Sequence, residues 1–335
     1  MNNLITDISG LRVGNAQDAG LASGVTALIF DAPATASIAI HGGAPGVRDT
    51  ALLEPEMSVE KIDALVLSGG SAFGLDAMGG VQGWLREQGR GFVVGPARVP
   101  IVPGAIVFDL NNGGDKRWGR MPPYWDLGYE AARSAAIGFQ LGTAGAGFGA
   151  ISATLKGGLG SASAQTQNGF TVGALVAVNA IGSATIGDGP HFWAAPYERD
   201  AEFGGLGLPA HFDTNSLKLA VKGAAQPANE NTTIAIVATD AAMTKAQAKR
   251  LAIMAHDGMS RALRPSHAAF DGDIVFAAAT GGATMTLGSA DHVEIGALAA
   301  DCLARAIGRA IYLAKGLPFP GALPDWKSKF QRNLG

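Results

Sequence analysis

Two acids one residue apart, Asp271 and Asp273 around Gly272, stand directly before the apolar run Ile274-Val275-Phe276-Ala277. On an extended chain, positions i and i+2 share a face about 7 Å apart. Like charges that close repel, which raises one pKa and suits acid–base work. Asp-Gly-Asp is equally ordinary turn chemistry, so the pair alone leaves both readings open. A second junction offers a hydroxyl. The polar stretch Glu230-Asn231 turns abruptly at Thr232-Thr233 into Ile234-Ala235-Ile236-Val237. One reading is a loop entering a strand. The other is an N-terminal nucleophile, Thr232, made by self-cleavage after Asn231.

Other chemistry-bearing residues fit their patterns less well. Gly69-Gly70-Ser71 follows a strand and opens a helix, but a G-x-S-x-G nucleophile elbow needs glycine where Phe73 stands. A phosphate cradle at the helix start is a rival, and tight strand-to-helix packing is the reading we favour. Gly145 to Ala150 matches G-x-G-x-x-A, yet no clear strand precedes it and no strand-borne acid follows about 20 residues on, so a dinucleotide site has little support. Gly157 after Lys156 breaks the P-loop pattern. The six histidines, His41, His191, His211, His256, His267 and His292, show no H-x-x-x-H pair, and there is one cysteine, Cys302. No metal site and no cofactor are expected from that spacing. Cys302 reads as a small buried hydrophobe, and His256 as a packed or surface histidine.

The elements that must position these residues alternate in type. Val25 to Phe30 and Ala36 to Ile40 read as two strands joined by a turn at Ala32-Pro33. Ala64 to Leu67 is a short buried strand. Leu75, Met78, Val81 and Leu85 recur at helical spacing within Ser68 to Gly89. Tyr129 to Ala136 is a helix candidate. Ser161 to Thr166 and Phe170 to Val178 form a hairpin around Asn168-Gly169. Thr233 to Thr239 is a strand, and Thr244 to Leu263 a helix opened by the capping box Thr244-Lys245-Ala246-Gln247. Asp273 to Ala279 is a strand and Val293 to Leu313 a long helix. Strands with little charge on either face predict a layered α/β body with sheets covered on both sides.

Composition narrows the classes. Of 335 residues, 47% are hydrophobic and 16% charged, against about 25% charged in ordinary soluble domains. A large core and a subunit interface follow. With 25 basic and 28 acidic residues, a net charge of -3 and no basic stripe, nucleic acid is a poor partner. No charge falls between Lys156 and Asp188, but the apolar centre, Phe170 to Ala180, is shorter than the ~20 residues a spanning helix needs. The N-terminal stretch has Asp7 before any basic residue, unlike a secretory signal. A cytosolic protein without membrane partners is the expectation.

Four segments in this order, SGGSAFGLDA (Ser68 to Ala77), LKGGLGSAS (Leu155 to Ser163), ENTTIAIVATD (Glu230 to Asp240) and DGDIVFA (Asp271 to Ala277), resemble one family from about Ile8 to Gly316. It is the self-processing family of D-aminopeptidases, β-peptidyl aminopeptidases and nylon-oligomer hydrolases. The resemblance implies a four-layer αββα sandwich, here one domain over 1–335. It implies autocleavage at Asn231–Thr232 into an α subunit, 1–231, and a β subunit, 232–335, and a homotetramer of such heterodimers. Threonine resembles the nylon-oligomer branch. Lys156 of LKGG, Asn179 of VAVNAIG, and Asp271 and Asp273 match active-site positions. So placed, the free Thr232 amine is the base for its own hydroxyl, Lys156 lowers that amine's pKa, the aspartates orient both, and the Asn179 amide faces the oxyanion. The substrate implied is a small peptide or ω-amino-acid oligomer. Two positions depart from the family: Phe108 stands for a tyrosine that assists the oxyanion, and His41 for an arginine before GGAPG.

Two rivals differ in class. An acyltransferase of the ornithine acetyltransferase type also self-cleaves before threonine, but its usual PNMATM-like segment is missing. A non-hydrolytic nucleotide-binding protein would use the glycine-rich turns.

Overall fold

Along one strand, Ile234, Ile236 and Ala238 face one side and Ala235 and Val237 the other, and both sides are dry. A strand apolar on both faces belongs in the middle of a layered body. The computed structural model describes residues 1–222 and 231–331. Its strands are β1 (Leu11–Asp18), β2 (Ser23–Ile40), β3 (Val47–Arg48), β4 (Lys61–Ser68), β5 (Phe92–Val94), β6 (Ala97–Val99), β7 (Gly104–Ile106), β8 (Gly158–Gln165), β9 (Thr171–Asn179), β10 (Thr232–Thr239) and β11 (Ile274–Ala279). Its helices are α1 (Ala77–Glu87), α2 (Tyr124–Arg133), α3 (Lys245–Ala262), α4 (Ser289–Leu313) and α5 (Trp326–Phe330). The main sheet runs β3-β7-β4-β2-β11-β10-β9-β8, with β1 paired to β2, while β5 and β6 form a separate ribbon.

Three cores separate four layers. The first lies between α3 and α4 and the outer faces of β8 to β11, with Val172, Val176, Val237, Leu251, Leu303 and Ile307. The second lies between the two halves of the sheet, where Leu28, Phe30, Leu65 and Leu67 meet Ile234, Ile236 and Phe276. The third lies under α1 and α2, with Val25, Ile29, Val66, Met78, Val81 and Tyr124. The sheet therefore doubles over, with β2 shared by both halves, and the expected αββα sandwich is the fold. Among the described residues, no helix is long and apolar enough to cross a membrane.

Sequence and structure part in two places. The two strands expected around Ala32-Pro33 are one 18-residue strand, β2, whose register against β4 shifts between Ile29 and Ala34. Proline removes a ladder donor without reversing the chain, so it marks an irregularity rather than a turn. The helix expected over Tyr129 to Ala136 is α2, starting five residues earlier behind Pro123 and ending at Arg133, because Ala136 pairs with Val13. The polar run before β10 is described only from Asn231; Asn229 and Glu230 lie outside the described residues. The β8–β9 hairpin, with Gly169 at φ +90°, and the Thr244 capping box stand as expected.

Candidate active site

The start of β10 is held from both sides. Thr232 pairs with Asn179 at the end of antiparallel β9, and Asn231 bridges Asp271 on the parallel side. The Asn231 carbonyl oxygen accepts from the Gly272 N–H at 2.8 Å, and the Thr232 hydroxyl donates to it at 2.5 Å. Glycine is required at 272: a Cβ there would stand 2.6 Å from Thr232 Oγ1 and 3.0 Å from the Ala44 carbonyl. Thr232 is only 5% exposed, so its hydroxyl lies in a nearly dry setting.

The two aspartates are closer than an extended i, i+2 pair. Asp271 hydrogen-bonds Asp273 just before β11 begins at Ile274. Burial, then the neighbouring charge of Asp273 and that bond, raise the Asp271 pKa. Burial would raise Asp273 too, but bonds from the His267 ring, the His267 N–H and the Thr233 N–H outweigh it and hold Asp273 below the usual range. Asp273 Oδ1 takes the Thr233 N–H at 2.9 Å; Oδ2 takes the His267 N–H and ring Nδ1, each at 2.9 Å. The pair thus splits into a proton holder, Asp271, and an anion, Asp273.

Asn179 is clamped at both ends of its amide. Oδ1 accepts from the Ile151 N–H at 3.0 Å and from Lys222 Nζ at 3.2 Å, while Nδ2 donates to the Phe108 carbonyl at 3.0 Å. One Nδ2 hydrogen is left over from that bond. Lys156 is 1% exposed, and its three hydrogens go to the carbonyls of Gly147, Ala150 and Gly157 at 2.8–3.0 Å. It is therefore bound to backbone, and meets the Asn179 clamp through Ala150–Ile151 rather than through a bond to Thr232. Burial drives its pKa down to about 7, against the attraction of Asp109. Asp109, itself raised by burial, accepts from Ser23 at 2.6 Å and from the Gly70 N–H at 2.8 Å.

The glycine-rich turns hold no spare cradle. The Gly70 N–H is already on Asp109, a Cβ at Gly70 would lie 2.1 Å from the Tyr124 ring, and one at Gly147 2.1 Å from the Leu159 nitrogen. A cavity of about 240 Å³ opens on Asn231 and Thr232, walled by Pro45, Ala72, Leu75, Ile106 and Phe108. Ser71 borders it in a left-handed conformation, φ +52°.

Lys222, Asp109, His267 and the Phe108 carbonyl join this cluster without any signal in the sequence. Lys222 and Asp109 carry no motif, and backbone carbonyls have no residue type.

The architecture is that of the Ntn-hydrolase aminopeptidases. It superposes on a β-aminopeptidase of Burkholderia sp. with a TM-score of 0.69 at 21% identity, covering 98% of this chain and 92% of that one. An L-aminopeptidase D-Ala-esterase/amidase of Ochrobactrum anthropi, described as a variant of the Ntn hydrolase fold, gives 0.69 at 22% identity, over 97% and 90%. The chain matches peptidase family S58 over residues 3–321, and it belongs to that family. It is 42% identical to an uncharacterized aminopeptidase of Mycobacterium tuberculosis over 96% of this chain and 99% of that one. It is 27% identical to a 6-aminohexanoate-oligomer endohydrolase of Agromyces sp., over 82% and 74%. The chain is an enzyme of a peptidase family, and amide hydrolysis is its class of reaction.

Proposed function

We propose that the chain cuts its own Asn231–Thr232 bond and then hydrolyses amide bonds of small peptides or ω-amino-acid oligomers through an acyl-enzyme on Thr232. The observation that carries this is the Asn231 carbonyl: its oxygen sits between the Thr232 hydroxyl at 2.5 Å and the Gly272 N–H at 2.8 Å. A preset N–H donor on the carbonyl oxygen is what a tetrahedral intermediate needs.

In self-cleavage, Thr232 Oγ1 adds to the Asn231 carbonyl carbon and the Gly272 N–H holds the oxyanion. The hydroxyl proton passes to the Thr232 nitrogen, the C–N bond breaks, and an ester links Asn231 to Oγ1. Water opens the ester, leaving the Asn231 carboxylate and a free Thr232 amine and hydroxyl. Toward substrate, that amine takes the hydroxyl proton as Oγ1 attacks the amide carbon, and hands it to the departing amine; water then releases the acyl group. An ordinary α-amine has a pKa of about 7.7–8.0, already suited to a base near neutrality. The remaining Asn179 Nδ2 hydrogen serves the substrate oxyanion, with Lys222 and Ile151 holding the amide in place. Asp273 fixes Thr233, and so the register of Thr232. The Phe108 backbone helps hold Asn179 where the family's tyrosine would offer a hydroxyl. A cavity near 240 Å³ is below the about 300–1,000 Å³ of drug-sized sites and suits a short acyl group. Processed heterodimers assemble as a homotetramer, checked by native mass.

The test is a denaturing gel with intact mass and N-terminal sequencing. Scaling 34.0 kDa by 231 and 104 of 335 residues gives fragments of about 23 and about 11 kDa. The smaller begins Thr-Thr-Ile, and Thr232→Ala stays one chain without amidase activity. A Thr232→Ala protein that still splits at that bond, or a fully active uncut wild type, refutes the proposal. Faster transfer to an added amine than to water makes the enzyme an acyltransferase instead.

A further inference from the structure

Three histidines from three separate elements converge beside Asp273. His41 follows the end of β2, His256 lies in α3, and His267 lies in the loop before β11. The His41 and His256 rings stack at 3.8 Å between centroids, with His267 edge-on at 5.3 and 4.8 Å. One ring nitrogen from each lies within 4.8 Å of those of the other two.

Their hydrogen bonds determine which nitrogens carry lone pairs. His256 Nε2 meets the Ala39 carbonyl at 3.0 Å. A carbonyl only accepts, so Nε2 bears the hydrogen and Nδ1 the lone pair. His267 Nδ1 meets the Asp273 carboxylate at 2.9 Å. The carboxylate accepts, so Nδ1 bears the hydrogen, and in the neutral ring Nε2 carries the lone pair. Those two nitrogens, His256 Nδ1 and His267 Nε2, are both buried and have no hydrogen-bond partner among the described residues. His256 is 1% exposed, so its lone pair is deep inside. Two buried lone pairs without donors are not what a core of packed histidines requires. His41 is exposed and gives the cluster a way in from solvent.

We propose that His41, His256 and His267 bind one divalent transition-metal ion of the zinc class. Three imidazoles without thiolate suit zinc, cobalt, nickel or copper rather than calcium or magnesium. Metal–nitrogen bonds of about 2.0–2.1 Å need the nitrogens roughly 3.3 Å apart in a tetrahedral set, so the rings close by side-chain rotation from their present spacing. His267 is backed by Asp273, and His256 by the Ala39 carbonyl. That is the outer layer of partners that fixes tautomer and orientation in histidine–metal sites. Local spacing in the sequence shows none of this, because the three positions are 11 to more than 200 residues apart. The site adjoins the Asp273–Thr233 contact but takes no part in the steps proposed for Thr232, and its test does not depend on them.

The test uses tag-free full-length protein stripped with a chelator and titrated with Co²⁺. The readouts are the visible d–d absorption of a low-coordinate nitrogen site and calorimetric stoichiometry, with Zn²⁺ as competitor. One ion per chain is expected, displaced by Zn²⁺. His41→Ala, at an exposed position, and His256→Gln, both checked for native circular dichroism, each weaken binding at least tenfold. His211→Ala, exposed and outside the cluster, binds as the parent does. No saturable binding, or a parent-like affinity in His41→Ala or in folded His256→Gln, overturns the site; if His256→Gln does not fold, His41→Ala decides.

Discussion

At the scale of single residues, Lys156 combines a charge with complete burial and, among the described residues, no carboxylate in contact. Its ammonium is satisfied only by three carbonyls, and burial brings its pKa to about 7. The same lysine in an unfolded chain titrates at about 10.4. Between those values the unfolded chain holds a proton that the folded one has released, so stability rises as pH rises through this window. Below about pH 7 both states are protonated and the contribution is flat, at its least favourable. Lys156→Met removes this term. Made in the uncut Thr232→Ala background, the pair of proteins should differ in the slope of melting temperature against pH between 7 and 10. The lysine form gains on the methionine form as pH rises, by a few kcal/mol over the window. Parallel curves would mean that Lys156 stays charged in the fold. Asp271, raised by burial and by Asp273, acts in the opposite sense: it costs stability as pH rises from the carboxylate range toward its folded pKa. The aspartate's window runs up to about 8 and overlaps the start of the lysine's, so the difference between the lysine and methionine proteins, not the pH range alone, isolates the lysine.

At the scale of elements, the junction of Asn231 with β10 depends on the Asp271-Gly272-Asp273 segment running alongside it. A Cβ at Gly272 would press on the Thr232 side chain, and the Gly272 N–H is the donor on the Asn231 carbonyl. Gly272→Ala should slow the proposed self-cleavage more than tenfold, read as the fraction of uncut chain against time after synthesis. Cutting at the parental rate would show that the contact is slack. Thr244→Ala supplies the contrast. It removes the α3 cap, whose hydroxyl takes the Gln247 N–H, and lowers stability by about 1 kcal/mol in urea without slowing cleavage. These elements also show what is legible in the sequence. The α3 cap, the β8–β9 turn and the threonine at the head of β10 are local, and residue types within four positions announce them. Pro33 is legible as an interruption but not as a bulge, since a missing N–H looks the same in a turn and in a bent strand. Lys222 on Asn179, Asp109 behind Gly70 and the His41–His256–His267 group join residues 39 or more positions apart, apart from the 11 between His256 and His267. No spacing rule reaches those distances; only the folded sheet brings them together.

At the scale of the whole molecule, the proposed cut divides the chain between β9 and β10, which are neighbours in the sheet. The smaller fragment would hold β10, α3, β11, α4 and α5, and the larger one β1 to β9 with α1 and α2. Neither owns a complete core. The layer under α3 and α4 mixes Val172, Leu175's neighbour Val176 and Phe170 from the larger part with Val237, Leu251 and Leu303 from the smaller. The central layer mixes Leu28, Phe30 and Leu67 with Ile236 and Phe276 in the same way. β10 pairs with β9 along its whole length, and β11 pairs with β2, so two backbone ladders also cross the division. Every residue of β10 is buried. Separating the parts would expose two apolar layers and two rows of unpaired backbone groups, each costly in water. A single cut at the head of β10 breaks none of this, because Thr232 keeps its register opposite Asn179. The fragments should therefore co-elute in one native peak, unchanged by high salt, and separate only in denaturant. They should also lose activity together along one unfolding transition, as a single cooperative body does. Elution of an isolated 11 kDa species from the active enzyme without denaturant would contradict the shared core on which both the fold and the proposed site depend.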